Sequence, residues 1–328
     1  MKYESGRQAM HIPKRIILND EFKNAWAGKD PFTEAFRLEG EIFRSVKTRR
    51  TFRFELNGKS YFAKIHHGIG WGEIVKNLLQ FKRPVLGARN EYEAIRRLEK
   101  LDVATMKVAA FGERGRNPAK IESFIITEEL TNTVSLEDFC RNWQKMPPPF
   151  ALKLALIRYV AEVSRKLHRN GVNHRDYYIC HFLLKTDMMP EILAPLIDLH
   201  RAQLRRETPR RWAVKDIAGL YFSVMGPGFA ASPERRASVS LAFLPPADLL
   251  KNFPSFHATA LQPLNAIKAE NDRDGRSTIL TQRDLFRFMK IYSGKTLRET
   301  LERDARFWRA VERTAERLYA KELRKPKG

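Results

Sequence analysis

The 328-residue sequence predicts an α+β fold in two lobes, β-rich first and mostly helical after. Three observations predict it. Glu41–Val46, Thr51–Leu56 and Ser60–Ile65 are short, aromatic and β-branched with largely alternating polarity, and Asn57-Gly58 supplies a hairpin turn. Leu152, Leu156, Val160, Val163 and Leu167 repeat at the helical period along one long buried helix that ends at Asn170-Gly171. The changeover falls at Glu128–Leu130, which reads as a linker.

Residues 1–35 read as a polar extension, 36–130 as the first lobe and 131–328 as the second. After the β-meander, Trp71–Phe81 has the pattern of an amphipathic helix, with Ile74, Leu78 and Phe81 at helical spacing and Pro84 as its stop. Arg89–Leu101 is a second helix whose Ile95, Leu98 and Leu101 point inward. Glu91 lies four residues before Ile95 on that stripe, and a carboxylate there needs a cationic partner. Lys107–Phe111 and Ser123–Thr127 complete the β-rich lobe. In the second lobe Leu136–Trp143 is a short helix closed by Pro147-Pro148-Pro149. Phe182–Lys185 and Leu196–Leu199 are short strands, and Asp216–Val224, Leu285–Tyr292 and the charged Leu297–Tyr319 are helices. Residues 226–277 are Gly- and Pro-rich without a period and read as an insertion or mobile loop.

Lys and Arg total 60 against 38 Asp and Glu, a net charge of +22 that argues for a polyanionic partner. The two cysteines, Cys140 and Cys180, make no secreted disulfide framework, so reduced thiols are expected. No uncharged apolar run reaches the roughly 18 residues of a bilayer span, and Met1–Asp20 has no apolar signal core. The expectation is a cytoplasmic protein in peripheral contact with the inner membrane.

His174-Arg175-Asp176 carries the chemistry. Phosphoryl transfer needs a cation on the nucleotide phosphates, metal ligands, and a base that orients the attacking hydroxyl. A β-rich lobe followed by a helical lobe containing this tripeptide is the protein-kinase layout. Lys64 falls on the third strand of the meander, where a phosphate-pairing lysine belongs, and Glu91 is its natural partner. Asp176 is the candidate base. Asp198, 22 residues later, is the candidate metal ligand. His181 stands five residues after Asp176, where kinases carry a metal-binding Asn; an imidazole nitrogen there binds a divalent ion or holds the loop. The glycine-rich loop is missing, and Arg49, Arg50 and Arg53 are read in the first turn, with Arg50 a candidate phosphate contact. Asp216 is either a brace for the catalytic loop or a plain helix cap. Arg201, Arg205, Arg206, Arg210 and Arg211 are candidate contacts to an anionic acceptor, with a solvated face as the plainer reading. No Ala-Pro-Glu follows, and 18 residues separate Asp198 from Asp216, so a peptide-binding platform is not expected. Gly58-Lys59-Ser60 is not a P-loop, Gly68-Ile69-Gly70-Trp71-Gly72 is not a dinucleotide fingerprint, and no Cys-x-x-Cys fixes a zinc site.

Longer strings carry a closer likeness. His174-Arg175-Asp176-Tyr177-Tyr178-Ile179-Cys180-His181-Phe182-Leu183-Leu184 and Ile197-Asp198-Leu199-His200-Arg201-Ala202-Gln203 resemble the bacterial lipopolysaccharide core heptose(I) kinase family. So do Thr48-Arg49-Arg50-Thr51, Pro84-Val85-Leu86-Gly87-Ala88, Phe124-Ile125-Ile126-Thr127-Glu128, Pro209-Arg210-Arg211-Trp212 and Thr281-Gln282-Arg283-Asp284. The resemblance implies a protein-kinase-like fold and transfer of the ATP γ-phosphate to the first inner-core heptose in Gram-negative cytoplasm. It implies ATP and Mg²⁺ as cofactors, with Lys64, Glu91, Arg50 and Glu128 around the nucleotide and Asp198 and His181 on the metal. The partner expected is the lipopolysaccharide core, not nucleic acid, and an acidic protein partner is left open. Two other readings remain: a protein Ser/Thr or Tyr kinase, and a non-catalytic basic scaffold on a kinase-like fold.

Overall fold

A strand and two short, well-capped helices come first among the described residues. A computed structural model describes residues 14–46, 48–80, 84–143, 145–225 and 279–324; the insertion expected at 226–277 and Phe81 lie outside the described residues. β1 (Lys14–Leu18) leads to Asn19, whose side chain accepts the Phe22 amide and starts α1 (Asp20–Ala25). Asp30 and Pro31 start α2 (Pro31–Arg37) in the same way. Phe22, Trp26, Phe32 and Ala35 are buried in one core with Phe52, Phe54, Tyr61 and Phe124. Phe22 meets Trp26 and Tyr61 edge-on, with ring centres 4.9 and 5.2 Å apart. The polar extension expected over 1–35 is therefore corrected from residue 14 onward: this segment supplies a strand and two core helices. Helices of six and seven residues are too short to show a period in sequence.

The meander forms as β2 (Glu41–Val46), β3 (Arg49–Leu56) and β4 (Lys59–His66), with Asn57 and Gly58 at φ 52° and 75° in the turn. After it come α3 (Gly70–Leu79), α4 (Arg89–Lys100), β5 (Val108–Arg114) and β6 (Glu122–Glu128). The strands make one antiparallel sheet in the order β1-β5-β6-β4-β3-β2. On β4, Tyr61, Ala63 and Ile65 point into the core, so the period of two puts Lys64 on the other face.

Two compact units divide the chain, with boundaries at Tyr92/Glu93, Met106/Lys107 and Glu129/Leu130. The six-stranded sheet belongs to the first. The second contains β7 (Thr133–Ser135), α5 (Leu136–Phe139), α6 (Phe150–Arg169), β8 (Val172–Asn173), β9 (Leu183–Lys185), β10 (Gln203–Leu204) and α7 (Arg210–Phe222). It ends with α8 (Gln282–Ser293), α9 (Leu297–Arg303) and α10 (Ala305–Leu323). α6 buries Leu152, Leu156, Val160, Val163 and Leu167, and Gly171 follows its cap at φ 75°. A Cβ on Gly171 would stand 1.9 Å from the Arg205 carbonyl oxygen, so only glycine lets β10 close on β8.

Four expected elements differ, the first being the helix expected over Leu136–Trp143, which ends at Phe139. Leu196–Leu199 is not a strand: Leu196 makes isolated bridges to Thr105 and Phe182, and Leu199–Arg201 is a 3₁₀ turn. The helix expected over 297–319 is two helices, broken at Asp304, whose carboxylate takes Lys295 at 2.9 Å. α7 starts at Arg210, which leaves Asp216 inside the helix and removes its reading as a cap.

Candidate active site

Each unit holds part of the expected chemistry. In the sheet unit, Lys64 Nζ donates to Glu91 Oε1 at 2.6 Å. Glu91 is only 2% exposed and its Oε2 has no partner among the described residues, so the buried carboxylate is compensated by Lys64 alone. Lys64 is 19% exposed and pairs across the sheet with Thr51 and Ile125. An ammonium held on a rigid central strand, with its tip at the surface, is placed to meet an anion.

Arg50 is placed otherwise. Arg49 and Arg50 open β3 instead of lying in a turn, because β2 runs to Val46 and β3 already begins at Arg49. The Arg50 guanidinium donates to the Phe36 and Leu38 carbonyls and lies over the Phe52 ring, so it ties α2 to the sheet. Arg53 bonds Glu129 at 2.8 Å. Glu128 ends β6 with its amide donating to the Lys107 carbonyl.

In the helical unit the candidate catalytic loop, His174-Arg175-Asp176, is tied down from three sides. Asp216, 1% exposed, accepts the amides of His174 at 2.6 Å and Arg175 at 2.9 Å. Those bonds hold Arg175 at φ 76°, a left-handed backbone that an isolated arginine avoids. His168 Nε2 lies 3.4 Å from Asp216, and its Nδ1 shares a hydrogen bond with the Tyr292 hydroxyl at 2.7 Å. His174 Nε2 donates to the Ile197 carbonyl at 2.9 Å, joining the loop to the residue before Asp198. The Asp176 carboxylate accepts Arg201 Nη1 on both oxygens, each at 2.9 Å. Arg201, expected as an acceptor contact, thus sits on the candidate base.

Asp198 and His181 come together. Asp198 is at φ 61°, with Oδ1 accepting His200 Nδ1 at 2.5 Å and Oδ2 3.6 Å from His181 Nε2. His181 Nδ1 lies 2.8 Å from the Asp176 carbonyl. A carbonyl can only accept, so Nδ1 carries the proton. Burial pushes the His181 imidazole below its ordinary range, against the opposing pull of Asp198, and keeps it neutral. Its Nε2 lone pair therefore points at a carboxylate oxygen. Two acceptors at that separation favour a cation between them, and the donor set of one carboxylate and one neutral imidazole fits a divalent ion. Among the described residues no three His, Cys, Asp or Glu side chains cluster into a metal cage, so water and substrate oxygens would complete the shell.

Cations gather around Trp212 on α7. Arg175, Arg205, Arg211 and Lys215 lie 5.4–5.8 Å from its ring centre. Burial pulls the Lys215 ammonium down, while Asp176 supports its charge. Arg210 lines a separate polar cavity of about 720 Å³ with Arg165, Arg169, Arg303 and Arg306. The sequence reading missed His200, Trp212 and Lys215. His200 follows Asp198 by two residues, and the Arg-Arg-Trp string marked Trp212; nothing local marked Lys215.

Comparison with known proteins gives the family. Residues 33–240 match the model of the lipopolysaccharide kinase (Kdo/WaaP) family. The chain is 44% identical over 313 residues to a lipopolysaccharide core heptose(I) kinase WaaP of Pseudomonas aeruginosa, covering 94% of this chain and 98% of that one. It is 43% identical over 313 residues to the protein of the same name from Escherichia coli K12, covering 94% and 99%. A solved structure described as WaaP in complex with acyl carrier protein aligns over 93% of this chain and 99% of that chain, at 39% identity and a TM-score of 0.67. That likeness establishes the kinase-like α+β fold, and with the matched model and relatives it establishes that the chain belongs to the lipopolysaccharide kinase (Kdo/WaaP) family.

Proposed function

We propose that this protein transfers the γ-phosphoryl group of ATP to a heptose hydroxyl of the lipopolysaccharide inner core, in the cytoplasm of a Gram-negative cell. The observation that carries the reading is the Asp176 loop, with its flanking amides fixed on Asp216 and its carbonyl on His181, beside Asp198. Asp176 accepts the proton of the attacking hydroxyl. The hydroxyl oxygen bonds to the γ-phosphorus, the bond from phosphorus to the bridging oxygen breaks, and ADP leaves with that electron pair. Lys64, held by Glu91, pairs with nucleotide phosphates. Asp198 and His181 would hold Mg²⁺, which would supply charge neutralisation at the phosphates. Glu128, at the end of β6, lies at the start of the linker and is assigned to the nucleotide. Arg201 holds the Asp176 carboxylate in position. Arg211 and Lys215 on the Trp212 cluster take the anionic groups of the acceptor.

Purified protein, labelled ATP, Mg²⁺ and core lipopolysaccharide lacking the heptose phosphate test this directly. Wild type is expected to transfer label, and Asp176→Ala to lose about 10²- to 10⁴-fold in rate. Equal transfer by the variant, or labelling of generic proteins in place of glycolipid, would sink the reading.

An acidic protein partner is the second element of the proposal. The relative solved with acyl carrier protein and the net charge of +22 support it. The arginine-lined cavity beside Arg210 suits an acidic surface. An apolar cavity of about 480 Å³, lined by Leu156, Val160, Leu220, Met289 and Val311, shares Ala305 and Arg309 with it.

A further inference from the structure

Helix α3 has an apolar face that its own unit does not use. Only Ile74 is buried. Trp71, Val75, Leu78 and Leu79 follow the i, i+4, i+7, i+8 pattern of a single helical face, and they are 57%, 49%, 58% and 76% exposed. Among the described residues ten large hydrophobic side chains are exposed, and four of them are on this one helix. A helix of ten residues is marginal in water by itself, and one buried isoleucine adds little. Such a face calls for a cover.

Charge selects the cover. The chain carries +22, Lys76 is exposed on the polar side of the helix beside Glu73, which it meets at 3.3 Å, and Lys82 and Arg83 follow closely in sequence. A second copy would bring the same excess of cations to the contact and be repelled. An anionic lipid surface offers the opposite sign together with an apolar layer just beneath it. The face is convex, about 15 Å long at 1.5 Å per residue, which suits a planar interface. Tryptophan at one end of the face suits the headgroup region. Among the described residues no helix is long and apolar enough to cross a membrane.

We infer that α3 is an interfacial helix that lies in the surface of an anionic phospholipid bilayer, with Trp71, Val75, Leu78 and Leu79 inserted and Lys76 toward the headgroups. The inference rests on the proposed function in one respect: an acceptor anchored in lipid is presented at that same surface. The helix would then act on acceptor capture and leave the chemistry alone.

The full chain and its Leu78→Gln/Leu79→Gln variant are to be sedimented with vesicles of phosphatidylglycerol and phosphatidylethanolamine, and with vesicles of phosphatidylcholine only. A Trp71→Gln variant provides an independent second lesion at an exposed position, and circular dichroism checks all three chains. Wild type is expected to bind the anionic vesicles, and each variant to bind about tenfold or more weakly. Phosphorylation of lipid-free core oligosaccharide is expected to be unchanged in the variants, while phosphorylation of vesicle-embedded lipopolysaccharide falls. Vesicle binding unaffected by both lesions overturns the inference. So does a loss of self-association, or of an acidic protein partner, in the variants with no change in vesicle binding. Vesicle binding through these leucines by a protein that phosphorylates no core would support the membrane role and overturn the acceptor reading instead.

Discussion

At the scale of single residues, the candidate base is best understood through the groups that hold it. Arg201 Nη1 meets both Asp176 oxygens at 2.9 Å, and the pair is partly exposed. Its value is orientation, since exposed ion pairs add little stability. Arg201→Ala is expected to lower kcat about 10- to 100-fold with little change in the KM for ATP, and Arg201→Lys to restore part of it. A change confined to either KM would make Arg201 a binding residue. His181 has two duties, one per ring nitrogen. Asn can meet both with its amide, so His181→Asn is expected to keep most activity and His181→Ala to raise the Mg²⁺ concentration needed. Equal Mg²⁺ dependence in both would remove His181 from the metal. The Lys64–Glu91 pair was legible because strand period and helix stripe each fix which way a residue faces, and the candidates Asp176 and Asp198 stood out by spacing. The Arg201–Asp176 contact was not, because nothing local says which carboxylate an arginine 25 residues away will meet.

At the scale of elements, α8 is pinned rather than merely packed. Thr281 and Asp284 form a capping box at its start, and Asp284 also takes Lys153 of α6 at 2.6 Å while 4% exposed. Burial by itself would raise the Asp284 carboxyl; Lys153 and the Thr281 amide and hydroxyl hold it below the ordinary carboxylate range instead. A carboxyl lowered in the folded state binds fewer protons there than when unfolded. Its contribution is therefore complete above the ordinary carboxylate value of about 4 and is lost as pH falls through the lower folded value. Asp284→Asn is expected to flatten the acid loss of stability, and Asp284→Ala to cost about 3 kcal/mol at neutral pH in urea unfolding. Pairing it with Lys153→Met is expected to recover part of that cost; a purely additive double variant would deny the coupling. The capping box was within the string Thr281-Gln282-Arg283-Asp284, but its tie to α6 depends on tertiary packing. α1 and α2 escaped notice for another reason: each helix spans too few residues for a stripe.

At the scale of the whole molecule, the excess of cations was plain from composition, while its distribution was not. Arg210 and Arg211 are neighbours in sequence, but successive helical residues point about 100° apart. Arg211 consequently lies over Trp212 with Arg175 and Lys215, and Arg210 lines the cavity that contains Arg303 and Arg306. One basic run therefore serves two surfaces. Arg175 connects the first of them to the candidate catalytic loop, being adjacent to Asp176 and bound through its amide to Asp216. Charge reversal then separates the two. Arg211→Glu is expected to raise the acceptor KM about tenfold, more than it raises the KM for ATP, because one charge-assisted contact is lost and a repulsion is added. Arg210→Glu is expected to change kinase constants little and to weaken capture of the proposed acidic protein partner, with a loss that diminishes as salt is raised. Equal shifts in the acceptor and ATP constants for Arg211→Glu would place that cluster outside acceptor binding. The same kinetic loss from Arg210→Glu would mean that both arginines serve one surface after all.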